Sequence, residues 1–113
     1  MALALNVFKT ITKVLNTSPE KVYTAPVGYT GVTLFCNIVN SGAETYDVSI
    51  SHERTVSGIA VTTPIHIQKP IPSKDSFKPF YGKFVLESGD SLIAYGSNGT
   101  ELKLIASVLN TLN

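Results

Sequence analysis

The stretch Thr30–Arg54 reads TGVTLFCNIVN (30–40), SGAET (41–45) and YDVSISHER (46–54), and its periodicity decides the fold class. Val32, Leu34, Cys36 and Ile38 recur at every second position, and Tyr46, Val48 and Ile50 do the same after the gap. Side chains alternate faces along a strand, so a period of two predicts half-buried strands and not an amphipathic helix. Asn40, Ser41 and Gly42 place turn chemistry between the two runs. The connection is too long for a two-residue hairpin turn. Phe35 and Val39 fall opposite Leu34 and Ile38, which predicts a first strand covered on both faces. Asp47, Ser49 and Ser51 give the second strand one face suited to water.

Toward the N-terminus, Glu20 to Thr24 reads as a short strand stopped by Ala25-Pro26, because proline lacks an amide donor. Asn16 to Pro19 and Val27 to Gly31 carry turn residues. Ala2 to Leu15 fits two patterns. Leu5, Phe8, Ile11 and Leu15 line one face of a helix, whereas Val7, Ile11 and Leu15 line a strand with Lys9 and Lys13 on the same side. The β-branched Thr10, Ile11, Thr12 and Val14 favour the strand. Residues 1–15 are therefore expected as an N-terminal strand or as an assembly arm reaching a neighbour, ahead of a β-sandwich domain over 16–113.

Toward the C-terminus, Thr55 to Thr63 reads as a loop or a short irregular strand. Pro64, Pro70 and Pro72 bracket Ile65, Ile67 and Ile71, which predicts an edge strand. Residues 73–82 mix turn residues with Phe77, Phe80 and Tyr81. Lys83 to Leu86 and Ser91 to Tyr95 read as strands around the tight turn Glu87-Ser88-Gly89-Asp90. Residues 96–100 turn again, with Gly99 expected at positive φ. In the closing strand, Glu101 to Leu109, Leu102, Leu104, Ala106 and Val108 alternate with Lys103, Ile105, Ser107 and Leu109. Short strands spaced roughly 8–12 residues apart predict an all-β, single-domain antiparallel β-sandwich, with a jelly roll as its eight-strand form.

The whole chain sets bounds on function. Its 113 residues suit one domain that buries roughly 65% of its unfolded surface. Charged residues make up 15%, against roughly 25% in typical domains, so the surface is built from Ser, Thr, Asn and Gly or is partly buried against other chains. A net charge of +1 with dispersed Lys and Arg does not fit a nucleic-acid binder. No basic segment precedes a long apolar core, and no apolar run approaches ~20 residues, so neither a signal peptide nor membrane insertion is expected. The single cysteine, Cys36, lies in the apolar strand phase and reads as a buried free thiol.

At this point two motifs carry a family resemblance. Tyr23-Thr24-Ala25-Pro26-Val27-Gly28, followed by a long strand ending in Asn40, resembles small virion proteins of tailed bacteriophages. So does Leu86-Glu87-Ser88-Gly89-Asp90-Ser91-Leu92 ahead of two terminal strands. The resemblance runs from about Lys13 to Leu109 and rests on turn chemistry. It implies a sandwich assembled in the host cytoplasm into a virion, as a head decoration or cement protein or as a neck or tail component. Its implied partners are other copies of itself and other virion proteins. It carries no catalytic residue onto this chain.

The residues themselves point the same way. His52, His66 and Cys36 lack a recognised zinc spacing, and no cofactor or metal is expected. The carboxylates are dispersed, Asp90 reads as a turn acid, and neither Ser91 nor Ser97 sits in G-x-S-x-G, so no enzymatic activity is expected. Gly28–Gly31 and Gly96–Gly99 lack the ending of a phosphate loop. Asn98-Gly99-Thr100 matches a glycosylation acceptor and reads as a turn. The candidate interface residues are Leu5, Phe8, Tyr29, Phe77, Phe80 and Tyr81. The aromatics suit either the sandwich core, a subunit contact or, as the alternative function, a platform for a host-surface glycan or receptor.

Overall fold

The computed structural model describes residues 5–113, which form nine strands and no helix. Leu3, in the N-terminal segment, lies outside them. The strands are β1 (Asn6–Val14), β2 (Glu20–Thr24), β3 (Tyr29–Asn40), β4 (Tyr46–Val56), β5 (Ile59–Ile71), β6 (Ser76–Phe77), β7 (Phe84–Leu86), β8 (Ser91–Gly96) and β9 (Leu102–Leu112). One sheet runs β1-β9-β3-β6, with β7 also on β3. The other runs β2-β8-β4-β5. All pairings are antiparallel. Pairing β1 with β9, β2 with β8, β3 with β6 and β7, and β4 with β5 describes one long ribbon folded over on itself. With β6 and β7 taken as one interrupted strand, that is the jelly-roll arrangement of eight strands in two sheets.

The core forms between the sheets because the alternation of β9 meets that of β4 and β8. Leu102, Leu104, Ala106 and Val108 are buried from one side, and Val48, Ile50, Leu92 and Ala94 from the other. Leu15, Cys36, Ile38 and Ile71 complete the main cluster, and Ala25, Leu86 and Leu92 form a smaller one. Asn40, fully buried at the end of β3, holds the 41–45 loop. Its Nδ2 donates to Glu44 O at 2.7 Å and Ile71 O at 2.8 Å, and its Oδ1 accepts from Gly42 N at 2.9 Å. At Gly96 the chains approach so closely that a Cβ would lie 2.3 Å from Leu102 Cδ1.

Five expectations need correction. The alternation in β3 breaks at a β-bulge between Thr33 and Phe35, where two residues oppose one step of β9. Gly31 and Thr33 point inward before it, Cys36 and Ile38 after it, and Leu34 is 40% exposed. The molecule has two layers, so the Phe35–Val39 face of β3 is uncovered within the subunit. Ser49 is buried, not water-facing, and its Oγ accepts from Gln68 N at 3.0 Å where β5 is irregular. Residues 55–63 are strand: β4 runs to Val56, turns through Ser57 (φ 52) and Gly58 (φ 78), and returns as β5. Two successive positive-φ residues are the two-residue hairpin turn that matches strand twist. Gly99 does not take positive φ; the Asn98 carboxamide shapes that turn by accepting from Thr100 N and Glu101 N.

Candidate functional site

The two outer faces of the sandwich differ in chemistry. On the β2-β8-β4-β5 sheet, outward positions carry Asp47, Ser51, Thr62 and the Lys21–Glu53 ion pair, with N···O at 3.4 Å, beside the half-buried Ile93 and Tyr95. On the other sheet, the outward positions of β9 are Lys103, Ile105, Ser107 and Leu109, because the alternate residues fill the core. Directly opposed residues in an antiparallel pair share a face, so the register extends these positions into cross-strand rows. Phe8, Leu109, Val32 and Val85 form one four-strand apolar row. Thr10, Ser107 and Phe35 form the next, then Thr12, Ile105 and Asn37, then Val14, Lys103, Val39 and Ser76. Lys103 is the one charged residue in these rows.

Exposure on this face is high for its composition. Phe8 is 73% exposed, and Val14, Leu34, Phe35, Val85 and Ile105 are 40–53% exposed. These six side chains present roughly 500 Å² of apolar surface, toward the upper end of the roughly 300–600 Å² of the largest patch on a typical monomer. A depression of about 410 Å³ lies on the face, lined by Val14, Asn37, Val39 and Ile105 and by the two lysines Lys13 and Lys103, among others. Asn37 Oδ1 is shielded from solvent there and has no hydrogen-bond partner among the described residues. Lys78 Nζ stands 5.5 Å from the Phe35 ring centroid at the patch edge.

A second exposed apolar element is the β4–β5 hairpin tip. β4 pairs with β8 only as far as Glu53↔Ser91, yet pairs with β5 out to Val56↔Ile59. The ribbon from Arg54 to Val61 therefore runs past the sheet. Val56, Ile59 and Val61 continue the core-facing phase of Val48 and Ile50, but they are 51%, 68% and 46% exposed. The base of this ribbon is clamped. Buried Asp90 accepts from Arg54 Nη2 at 2.7 Å and Arg54 Nε at 3.2 Å, and from Glu87 N at 3.0 Å. His52 Nε2 lies 3.0 Å from Asp90 Oδ2. The Arg54 guanidinium above all, with His52 and the Glu87 amide, holds the Asp90 carboxyl down to about 2. Asp90 is thus a turn acid, as its sequence context predicts, and also the anchor of an ion cluster that spacing does not reveal.

The sequence-derived candidates fall in different places. Leu5 and Phe8 are exposed, with Phe8 on the apolar face. Tyr29 begins β3 and borders a separate hollow with Val7, Lys9, Pro26 and Asn110. Phe77 and Phe80 pack against the core: Phe77 meets His66 edge-on at 4.8 Å, and Phe80 stacks on Phe84 at 4.7 Å. Tyr81 is 98% exposed and borders a shallow cleft with Leu34, Phe35 and Lys78. His66 Nε2 lies 3.0 Å from Pro79 O, far from any shared site with His52. Among the described residues no three His, Cys, Asp or Glu side chains converge as metal ligands. Sequence reasoning picks out Phe8 but not Val32, Val85, Ile105 and Leu109. Ile105 and Leu109 carried a signal as apolar residues at the outward positions of β9, whereas Val32 sat in the supposed core phase of β3 and Val85 in the short β7.

No protein-family model matches the chain, and no curated protein matches it. Solved structures do. The capsid of Helicobacter pylori bacteriophage KHP30 contains a chain similar over 96% of this one and 89% of its own, at 13% identity and a TM-score of 0.56. A chain of the infectious bursal disease virus particle is similar over 97% of this one, at 11% identity and a TM-score of 0.56. This chain spans 32% of that one. A pilus protein of Bacillus endospore appendages is similar over 100% of this chain and 97% of its own, at 11% identity and a TM-score of 0.50. At such identities the likeness is one of fold: this chain shares its two-sheet β-sandwich with proteins of two virus particles and of a pilus.

Proposed function

We propose that this chain is a non-enzymatic structural subunit of a bacteriophage virion, working through contacts with copies of itself and with other virion proteins. The observation that carries the reading is the contrast between the two outer faces. One mixes ion-paired and polar groups with Ile93 and Tyr95, and the other is an apolar sheet surface with Lys103 as the one charge in its cross-strand rows. A face of that kind is costly to leave in water and is suited to burial against another protein. The shared fold with the KHP30 capsid chain supports the particle setting. Within the particle, the role is head decoration or cement, or a neck or tail component. Within the N-terminal segment, β1 (Asn6–Val14) serves both as strand and as contact element, since it places Phe8 on the apolar face.

Mass spectrometry and cryo-imaging of purified particles test this. Repeated density for the domain on the head supports decoration, and rings at the neck or tail support the other placement. Particles free of the chain would end the proposal. A second reading, binding of a host-surface glycan or receptor, rests on Tyr81, exposed beside Lys78 and Phe35. Glycan-array binding lost in Tyr81→Ala, with assembly intact, would favour it.

A further inference from the structure

We infer that the cleft beside Tyr81, bordered by Lys69, Asp75, Ser76, Phe77 and Lys78, binds a sugar that carries a carboxylate, of the uronic or sialic acid class. This rests on the glycan reading above and names its ligand class.

The near-zero net charge of the chain hides a local excess. Lys69, Lys74, Lys78 and Lys83 fall within residues 69–83, where Asp75 is the only acid, so the remaining residues are net negative. Lys13, Lys21 and Arg54 find carboxylates elsewhere, but among the described residues none of these four lysines forms an ion pair. Two of them are held by aromatic rings instead. Lys69 Nζ stands 5.6 Å from the Phe77 ring centroid, and Lys78 Nζ stands 5.5 Å from that of Phe35. A ring face positions an ammonium without neutralising it, so both stay available to an anion.

The fold gathers these groups. β5 is the last strand of one sheet and β6 of the other, and the cleft, of about 480 Å³, lies between the end of β5 and β6. That volume is within the range of small-ligand sites. The Tyr81 ring stands at the rim, 98% exposed, open to the apolar C–H side of a pyranose. The one acid in the cleft selects among anions. Asp75 Oδ1 accepts from Ser76 N at 2.8 Å, and its other oxygen has no partner among the described residues. A carboxylate there repels a phosphate backbone, which brings charge and acceptors, but accepts hydrogen bonds from hydroxyl groups. A uronate or sialate brings both parts: an anion for Lys69 and Lys78, and hydroxyls for Asp75 and Ser76.

The test titrates the whole chain with tetragalacturonate, with tetrasialate and with the carboxyl-reduced form of the first, by isothermal calorimetry. At least one acidic tetramer is expected to bind with a Kd at or below about 1 mM, and the reduced tetramer at least about tenfold more weakly. Tyr81→Ala should weaken the acidic tetramer at least about tenfold. Lys69→Gln combined with Lys78→Gln should abolish the preference for the acidic over the reduced form, which a loss of packing alone would not do. All three positions are exposed, so the fold, checked by circular dichroism, is retained. Failure of both acidic tetramers to bind, equal affinity for the reduced one, or displacement of bound tetramer by equimolar oligothymidylate or hexaglutamate would each overturn the inference. The last would mark a surface for any polyanion. The glycan array separates this result from the wider reading. Neutral glycans captured through Tyr81 with no acidic preference keep that reading and remove this inference, and capture of none removes both. The virion role is decided by particle composition alone.

Discussion

Replacing Asp90 with Asn should cost about 2 kcal/mol at neutral pH and remove a defined part of the acid sensitivity. The Asp90 carboxyl is lowered from an ordinary 3.8 to about 2, by Arg54 first and then His52 and the Glu87 amide. At about 1.4 kcal/mol per tenfold change in proton affinity, this corresponds to about 2 kcal/mol. The folded-state value is depressed, so the stabilisation is fully present above pH 3.8 and is lost as pH falls toward 2. Asp90 is 3% exposed, so solvent screening does not erase the effect. The chain has no tryptophan, so urea unfolding is followed by far-UV circular dichroism at several pH values between 2 and 6. Wild type and Asp90→Asn should differ by about 2 kcal/mol at pH 6 and converge near pH 2. Equal stability at pH 6, or parallel curves down to pH 2, would refute the clamp as described.

Other perturbations test the packing. Gly96→Ala should destabilise by about 1–3 kcal/mol in thermal melts, because its Cβ would meet the fully buried Leu102 side chain at 2.3 Å and Asp47 O at 3.0 Å. Burial pushes the Cys36 thiol up to about 11. A thiol-specific reagent at pH 8 should therefore leave native Cys36 nearly unlabelled and label it rapidly in urea, and fast native labelling would show that the core opens there. Ile38→Ala should cost about 2–5 kcal/mol by urea titration, since Ile38 is fully buried in the main cluster.

The parts of the fold legible in the sequence are those where a single strand faces core on one side and water on the other. β9 is such a strand, and its alternation from Leu102 to Val108 matches its burial residue for residue. The β5 edge is legible from Pro64 and Pro70, which cannot donate to a neighbour. The bulge is not, because Leu34 continues the apolar alternation while its side chain turns out; the change lies in pairing with β9, which local sequence does not encode. The hairpin tip did carry a signal, Ser57-Gly58 between Val56 and Ile59, but its flanks lack the burial alternation that marks a strand. The Arg54–Asp90 clamp joins residues 36 apart and comes only from the fold. For the candidate surface, apolar residues on both faces of β3 read as double coverage. Within one subunit they mean an uncovered face.

The position of β9 also governs the order of events when the chain folds. The last in chain order of the nine described strands is an interior strand of its sheet, flanked by β1 on one side and β3 on the other. β1 has no place in the sheet until β9 arrives, so that layer cannot close before the segment through Leu112 is available. Contacts between such distant segments make for slow folding, on the order of milliseconds to seconds. During that interval the apolar sides of β1, β3 and β4 are open to other nascent chains. Loss of β9 would therefore leave β1 without a partner and β3 open along one edge, so the whole layer depends on that one strand.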